Sequence, residues 1–323
     1  MTEISFAETR DESLDEQFGR VVDPLRREVH AHCYRMLGSA FDADDAVQET
    51  LLRAWRSFER FDGRSSVRTW VYTIATRVCI DASTSRGRRA LPVDLGPSTE
   101  VGPAHLAPHD DVRWITPYPD PVDASERRNT IELAFSAALQ RLNGNQRAAF
   151  LLSDVVGYSA PEVAEMMSTT TASVHSALAR ARRALGERSG SETAAPPASS
   201  ETVALARRFA AALADADLDG FVDLLTPDVT WEMPPLAEWY EGRRAVAAFA
   251  QAVPMTQCPS WRTRLLVANG HPAVAFFLGD GENPKHRPWS ITVLVPRGDR
   301  IASIYSFLDA RLFARFGLPE SVQ

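Results

Sequence analysis

Arginines and aromatic rings are interleaved along residues 61–89 in a pattern that suits nucleic acid. The cations are Arg64, Arg68, Arg77, Arg86, Arg88 and Arg89. Trp70 and Tyr72 lie between them. Arginine attracts phosphates, and aromatic rings stack on unpaired bases. The segment therefore predicts a site for single-stranded nucleic acid. The alternative is a surface helix with solvated arginines and a core tryptophan.

A second candidate site lies further along the chain. Ser159-Ala-Pro-Glu162 is a capping-box sequence with proline in the first turn, so it predicts the start of a short helix. A polar turn follows, and then a helix whose outward face carries Ser173, His175, Ser176, Arg180 and Arg183. This is the pattern of a helix-turn-helix, in which early residues meet base edges and later arginines meet phosphates. Ordinary helical hairpins share the pattern.

A metal site is a weaker interpretation. His30, His32 and Cys33 are clustered, but on a helix His30 and Cys33 alone share a face, and no second ligand pair with zinc spacing occurs. The chain has three cysteines, which are scattered and odd in number. That number argues against a disulfide framework. We therefore expect neither a metal nor another cofactor.

The composition limits the class of protein and its partners. Of 323 residues, 45% are hydrophobic and 24% are charged, which is typical of a globular chain long enough for two or three domains. No apolar run approaches the ~20 residues that cross a bilayer, so we expect a soluble, cytoplasmic protein without membrane contact. A net charge of −7 disfavours free-standing DNA binding. A nucleic-acid role then requires local basic patches or a larger partner.

Helical periodicity surrounds the first candidate site. One apolar face consists of Val67, Trp70, Val71, Ile74, Ala75 and Val78. The preceding helix begins near Asp42, where carboxylates suit the positive end of the helix dipole. Its predicted buried side consists of Ala46, Val47, Thr50, Leu51, Ala54 and Trp55. The arginines therefore lie on the remaining face of a packed helix.

Changes in composition divide the chain into six parts. They are an acidic lead-in (1–16), a helical domain (17–90), a proline-rich linker (91–123), a second helical domain (124–185), a Gly/Ser/Ala/Pro linker (186–201) and an α+β domain (202–319). Trp114, Ile115 and Tyr118 indicate that part of the first linker docks on another surface. Strands are predicted at 229–233, 263–268, 273–278, 290–296 and 301–307.

Two long blocks occur in order within residues 17–185. They are DADDAVQETLLRAWRSFERFDGRSSVRTWVYTIATRVCIDA and LQRLNGNQRAAFLLSDVVGYSAPEVAEMMSTTTASVHSALARARRAL. Together they resemble an extracytoplasmic-function (ECF) sigma factor of the sigma-70 family. The resemblance implies an all-α region 2 and an all-α helix-turn-helix region 4.

The resemblance also implies partners and roles. The helix over 42–55 would dock on the β′ clamp helices of core RNA polymerase through Asp44, Asp45, Gln48, Glu49 and Arg53, and the β flap is the second expected polymerase contact. The −10 promoter element would be melted and read by Arg60, Arg64, Ser65, Arg68, Thr69, Trp70, Tyr72, Thr73 and Arg77. The −35 element would be read in duplex form by Thr170, Thr171, Ser173, His175, Ser176, Arg180 and Arg183. Polymerase would then supply the affinity that the net charge disfavours.

The chain departs from the family pattern at several positions. The family usually has glycine in the helix-turn-helix turn where this chain has Ser168. It often has basic residues at the positions of His175 and Ala177, and commonly a proline where this chain has Asn143. Fewer cations on the recognition helix imply weaker or different −35 recognition.

The last part resembles a SnoaL-like (NTF2-like) domain, a cone formed by a bent sheet wrapped around helices. The blocks that carry the likeness include DADLDGFVDLLTPDVTWEMPP and VLVPRGDRIASIYSFLDARLFARFGLP. A subset of ECF sigma factors carries the same domain. An apolar pocket is predicted from Trp231, Trp239, Tyr240, His271, Phe276, Trp289 and Phe307, which could equally be packed core. Acid–base candidates are Asp228, Glu232, His271, His286 and Asp309, and no paired spacing makes them a catalytic set.

The expected function is promoter-specific transcription initiation, regulated in cis by the SnoaL-like domain. That domain would respond to a small-molecule ligand or a protein partner. One alternative is a helix-turn-helix regulator that needs no sigma activity, but it leaves the strand-opening segment unexplained. Another is a sigma factor fused to an enzyme for a small molecule. Because no catalytic set is found, we expect no enzyme activity.

Overall fold

The computed structural model describes residues 13–100, 107–120, 132–186 and 199–323. It divides the chain into two compact units. The first comprises residues 1–37, 41–86 and 142–183, and the second comprises 38–40, 87–141 and 184–323. Most of the predicted acidic lead-in and of the linker over 186–201 lies outside the described residues, as does the end of the proline-rich linker.

The chain up to residue 186 is helical. The helices are α1 (Leu14–Val22), α2 (Arg26–Leu37), α3 (Ala40–Ser57), α4 (Val67–Arg86), α5 (Leu133–Leu139), α6 (Gly144–Phe150), α7 (Ala160–Met166) and α8 (Thr171–Gly186). A π-helical turn over Leu151–Val156 follows α6. Helix α5 belongs to the second unit. Both all-α predictions are confirmed.

Local sequence explains the ends of the first helices. Ser13 and Glu16 form a capping box, so α1 begins within the predicted lead-in rather than after it. Pro24 lies in a 3₁₀ turn that separates α1 from α2. Val22, Cys33 and Tyr34 are fully buried in the core of this domain.

Two capped helices precede α8 in the second helical domain. Asn143 caps α6 and Ser159 caps α7, each through a capping box. Asn143 therefore performs the helix-starting role that the family gives to proline. Ser168, in the turn before α8, has φ of +52°. This left-handed conformation favours glycine, which explains the family preference at that position.

The second unit contains a six-stranded sheet. Its strands are β1 (Leu225–Glu232), β2 (Trp239–Glu241), β3 (Ser260–Ala268), β4 (His271–Gly279), β5 (Arg287–Arg297) and β6 (Arg300–Phe307). Their order is β2-β1-β6-β5-β4-β3; β1 and β6 are parallel, and the other neighbours are antiparallel. Five strands match the sequence predictions, whereas the short β2 was not predicted.

Helices pack on this sheet and complete its core. They are α9 (Ser200–Ala214), α10 (Leu218–Asp223), α11 (Arg243–Ala252) and α12 (Arg311–Arg315). Phe209 of α9 and Phe221 of α10 are fully buried against Trp231 of β1, with ring centroids 6.4 and 5.9 Å away. The α+β prediction for this domain is confirmed.

Candidate nucleic-acid interface and its linker

The residues predicted to read the −10 element differ in exposure. Arg60, Arg64, Ser65 and Arg77 are exposed, and Arg68, Thr69, Trp70 and Thr73 are half-buried. Tyr72 is 3% exposed, so its ring is covered in this arrangement. Burial raises the pKa of its hydroxyl. The segment presents cations at its surface, but one of its two expected stacking rings is packed inside.

Arg68 is held between two tyrosines from different helical domains. Its guanidinium carbon lies 4.8 Å from the ring centroid of Tyr72 and 5.8 Å from that of Tyr158, which precedes α7. Its Nε donates to Glu28 Oε1 of α2 at 3.0 Å. The guanidinium is therefore occupied by an ion pair and by two ring faces.

Arg77 contacts the helix-turn-helix directly. Its Nε donates to the carbonyl of Met166 at 3.2 Å, and its Nη2 donates to Ser168 Oγ at 2.8 Å. Because Arg68 meets Tyr158 and Arg77 meets Ser168, two predicted −10 cations contact region 4 within the same unit. We call these contacts the Arg68–Arg77 clasp.

Trp70 lies near the start of α4 among other rings. Its centroid is 4.8 Å from that of Phe61 and 6.3 Å from that of Phe58.

Beneath α4, His32 is buried, and its Nε2 lies 3.0 Å from Thr76 Oγ1. Burial lowers the pKa of His32 to about 3, which leaves the ring neutral. In the described ranges, no group of three His, Cys, Asp or Glu side chains could hold a metal ion.

The predicted polymerase face lies on α3. Asp45, Gln48 and Arg53 are exposed, whereas Asp44 and Glu49 are partly covered. Asp44 pairs with His30 at 2.9 Å, and Glu49 pairs with Arg53 at 2.6 Å.

Sequence reasoning missed two apolar residues on this face. Leu52 is 43% and Trp55 is 44% exposed, although Trp55 was predicted to be buried. Its indole Nε1 donates to Asp15 of α1 at 2.8 Å, so the ring lies across the surface. The spacing of Gln48, Leu52 and Trp55 on a helix could have indicated this mixed face, because residues three and four apart are neighbours.

All seven residues predicted to read the −35 element are exposed at or near the start of α8 and along it. Thr170 Oγ1 accepts the amide N–H of Ser173 at 3.1 Å, so this threonine caps the helix. Arg180 Nη2 donates to Ser176 Oγ at 2.7 Å on the next turn. The helix therefore offers small polar groups first and cations later, as the helix-turn-helix interpretation requires.

The linker between the two helical domains docks on the α+β domain along its described length. Val93 N–H donates to the Glu232 carboxylate at 3.0 Å, and Thr99 N–H donates to the Trp239 carbonyl at 2.7 Å. The Trp239 indole donates in return to the Gly96 carbonyl at 3.0 Å. These bonds use main-chain atoms of the linker, so they hold its backbone in place and do not depend on the identity of its side chains.

The later part of the linker is held in the same way. His109 N–H donates to the Pro235 carbonyl at 2.9 Å. Tyr118 N–H donates to Asn269 Oδ1 at 2.8 Å, and Asn269 N–H donates back to the Tyr118 carbonyl at 2.9 Å. Ile115 is 1% exposed. The predicted docking is confirmed for Tyr118, which bonds to the α+β domain. The Ile115 N–H instead donates to the carbonyl of Ala90, and Arg89 donates to the carbonyl of Trp114, so these two residues bond to the chain just before the linker.

Glu232 is a buried carboxyl group at this junction. It is 3% exposed, and burial raises its pKa to about 7; the nearby Asp94 adds to the rise, and the Val93 N–H opposes it. Sequence reasoning treated Glu232 as an acid–base candidate. The structure places it against the linker instead.

The α+β domain contains an apolar cavity of about 80 Å³. Of the predicted pocket residues, Trp231, Phe276 and Trp289 line it, whereas Trp239, Tyr240, His271 and Phe307 do not. The remaining walls come from Leu213, Met233, Leu236, Phe249, Val253, Pro254, Cys258, Trp261, Ser290, Thr292, Ser306 and Leu308.

The acid–base candidates are dispersed away from the cavity. Asp228 pairs with Arg297 at 2.9 Å and Asp309 with Arg311 at 2.8 Å, both near the surface. His286 Nε2 lies 3.0 Å from Ser260 Oγ. His271 is buried, which lowers its pKa to about 4. Because these groups do not share a site, they form no acid–base pair.

Comparison with known proteins assigns the same three parts. Residues 21–89 match Sigma-70 region 2, residues 132–185 match Sigma-70 region 4, and residues 206–313 match the SnoaL-like domain. The chain is 41% identical over 336 residues to the ECF RNA polymerase sigma factor SigG of Mycobacterium tuberculosis, covering 100% of this chain and 89% of SigG. This chain belongs to the ECF sigma factors of the sigma-70 family that carry a C-terminal SnoaL-like domain.

A second relative from the same organism is more distant. The ECF RNA polymerase sigma factor SigJ is 32% identical over 212 residues, covering 65% of this chain and 62% of SigJ. The crystal structure of SigJ has a TM-score of 0.57 and 22% identity, covering 92% of this chain and 98% of that one. That likeness shows a shared fold. No helix in the described residues is long and apolar enough to cross a membrane.

Proposed function

We propose that this sigma factor directs core RNA polymerase to promoters in the cytoplasm, and that its SnoaL-like domain controls this activity in cis by holding the linker between regions 2 and 4. The polymerase contact is assigned to the α3 face and the β′ clamp helices, with the β flap as the second contact. The −10 and −35 elements are assigned to α4 and α8. The observation that carries the regulatory part is the main-chain docking of the linker on the SnoaL-like domain.

The exposed groups support these assignments. Arg60 and Arg64 are exposed just before α4, and the exposed residues of α8 follow helix-turn-helix order. The α3 face combines charged groups with exposed Leu52 and Trp55, a mixture that suits a protein interface. Polymerase binding through this face also explains how a chain of net charge −7 reaches DNA.

The Arg68–Arg77 clasp supports a closed, inactive arrangement. Reading the separate −10 and −35 elements requires α4 and α8 to lie at different positions along the promoter. In the clasp, Arg77 instead bonds to the turn that precedes α8. Activation therefore breaks the clasp, and the linker must allow the two helical domains to separate.

A docked linker controls that separation through population shift. The SnoaL-like domain is part of the same chain, so its effective concentration at the linker is high without a separate inhibitor. A signal that favours the undocked linker raises the population of the promoter-competent form. The sigma regions need no change of their own structure for this control.

Asn269→Gly tests the regulatory part in full-length protein. Asn269 has φ of +53°, so glycine keeps the backbone conformation and removes the side chain that accepts from Tyr118. We expect core-dependent transcription in vitro to change about 2- to 10-fold, as loss of one hydrogen bond allows. Ser303→Ala on β6, where Ser303 is paired with Thr230 and Val295 of the neighbouring strands, is the matched control. Equal output from the two variants and wild type would contradict the proposal.

A further inference from the structure

The cavity of the SnoaL-like domain joins aromatic walls to a short row of hydroxyls. Trp261 lies 5.5 Å from Phe276 and 6.5 Å from Trp289 between ring centroids, and Trp231 lies 5.1 Å from Phe249. Trp289 is 44% exposed, so it stands at the mouth. These rings give the cavity flat apolar surfaces of the kind that hold a small ring.

Strand pairing places three hydroxyls in one wall. Ser290 and Thr292 are two residues apart on β5 and therefore share a face, and Thr292 is paired with Ser306 on β6. Thr292 Oγ1 lies 3.0 Å from Ser306 Oγ and 3.4 Å from Ser290 Oγ. The three side chains are each at most 5% exposed. The wall therefore contains a buried polar stripe within otherwise apolar surroundings.

Counting donors shows what this stripe can offer. Trp231 Nε1 donates to Ser306 Oγ at 2.9 Å, so the indole fills an acceptor position at one end. The three hydroxyl groups carry three hydrogens, and each of the two contacts between them uses one hydrogen. One hydroxyl hydrogen of the row therefore has no acceptor within the row. A buried donor without an acceptor is costly, which favours a ligand that brings an oxygen acceptor.

The lining also excludes other ligand classes. Among the cavity residues, Cys258 is the one ionisable group, and burial raises the pKa of its thiol, which keeps it neutral. A charged ligand would therefore be desolvated without a counter-ion. The cavity volume of about 80 Å³, with its mouth at Trp289, limits the ligand to at most a single ring. The absence of an acid–base pair in this lining indicates binding rather than turnover.

We propose that this cavity binds a small, neutral, single-ring molecule with one hydrogen-bond-accepting oxygen, and that the bound ring reinforces linker docking. Trp231 and Met233 face the cavity, whereas Glu232 between them holds Val93 of the linker. Leu236 lines the cavity, and the carbonyl of the adjacent Pro235 accepts from linker residue His109. One stretch of chain thus contacts the ligand space on one side and the linker on the other. The regulatory half rests on the proposed function.

Binding is tested on the full-length chain with two probes of nearly equal shape. Cyclohexanone carries the accepting oxygen, and methylenecyclohexane replaces that oxygen with a CH₂ group. Each probe is titrated into the protein, and saturation-transfer NMR monitors the titration to give the dissociation constant of that probe. We expect cyclohexanone to bind at least about threefold more tightly, as one hydrogen bond permits. Equal constants, or binding of neither probe, would overturn the ligand class.

A variant tests whether the preference depends on the hydroxyl row. Ser290→Ala removes the hydroxyl at the end of the row away from Trp231, so the spare hydrogen must come from Thr292 or Ser306. The preference for cyclohexanone should therefore change, while methylenecyclohexane binding is retained. Ser303→Ala, on the opposite face of β6, should keep the wild-type preference. A preference left unchanged by Ser290→Ala would overturn the role of the row. If Ser290→Ala lowers stability, the wild-type comparison of the two probes still decides the ligand class.

Amide hydrogen exchange tests the coupling separately. With saturating cyclohexanone, exchange at Val93, Thr99 and His109 should slow about threefold, because the ligand stabilises the strand and loop that accept their hydrogen bonds. Binding with unchanged exchange at these amides would refute the coupling. The transcription test with Asn269→Gly uses no ligand, so failure of the ligand proposal and failure of cis regulation are distinguishable.

Discussion

The two units hold their movable parts by different chemistry. In the first unit, the contacts of the Arg68–Arg77 clasp come from cationic side chains of α4. In the second unit, main-chain N–H and C=O groups of the linker bond to the α+β domain, and the Asp120 carboxylate accepts from the Gly270 N–H. Phosphates compete directly for guanidinium groups, whereas DNA offers nothing that replaces Trp239 or Asn269. If α4 reads the promoter as proposed, promoter DNA would open the clasp, whereas release of the linker would need a different signal.

The largest effect should come from the buried arginine between α6 and α2. Arg147 is 4% exposed, and its guanidinium donates to the carbonyls of Met36 and Leu142. Arg147→Ala removes the donor of both buried carbonyls. We therefore expect the free energy of unfolding to fall by about 3 kcal/mol in urea titrations. Arg182→Ala, which breaks an exposed pair with Asp154, is the control and should leave unfolding nearly unchanged. A similar loss in the free energy of unfolding for the two variants would mean that the buried hydrogen bonds of Arg147 stabilise the fold no more than an exposed ion pair does.

The linker contact should respond to pH through Glu232. Its pKa rises from 4.5 to about 7 in the folded chain, so folding favours the protonated carboxyl group. The associated stability is present below pH 4.5 and is lost as the pH rises through 7, by about 3 kcal/mol in total. Urea unfolding of wild type should therefore lose stability between pH 5 and 8 relative to Glu232→Gln.

The difference between wild type and Glu232→Gln is the informative quantity. His271 has a lowered pKa, so its own contribution is lost as the pH falls and has the opposite sign. Subtraction removes this contribution because both proteins contain His271. If the two pH profiles run parallel, Glu232 does not couple protonation to the docked linker.

The smallest of these effects concerns one ring of the clasp. Tyr158→Ala removes the ring over Arg68, and Tyr158→Phe retains it while removing the long 3.4 Å contact between Arg68 Nη1 and the hydroxyl. We expect Tyr158→Ala to tighten binding of a single-stranded −10 oligonucleotide about threefold, because a cation–π contact no longer opposes it. Tyr158→Phe should resemble wild type. Equal tightening by both variants would assign the effect to the hydroxyl.

Sequence predicted the elements whose patterns are local. The capping box at Ser159, the helical stripe around Val71 and the long strands of the sheet are all specified by neighbouring residues. The short strand β2 was missed because three residues, Trp239–Glu241, are too few to show alternation. Local patterns thus defined the domains and the order of most elements.

Long-range packing explains what sequence reasoning did not reach. Tyr72 is covered although it lies outside the apolar stripe predicted from Val67 to Val78, so its burial depends on contacts from elsewhere in the chain. Glu232 was a plausible acid–base residue until its partner, Val93, was known to lie 139 positions away. Trp231, Phe276 and Trp289 were identified as pocket residues, but the hydroxyl row depends on the pairing of β5 with β6. Contacts between residues so far apart in the sequence can be identified only once the fold is known.

The most direct measurement of cis regulation is transcription in vitro with core polymerase, comparing the full-length chain with a chain that ends at Gly190, on promoters enriched by selection. The truncated chain keeps regions 2 and 4 and the linker but lacks the surface that holds Val93, Thr99, His109 and Tyr118. The account predicts core-dependent initiation by both chains, with an output that changes on truncation. Equal output from the two chains would contradict it.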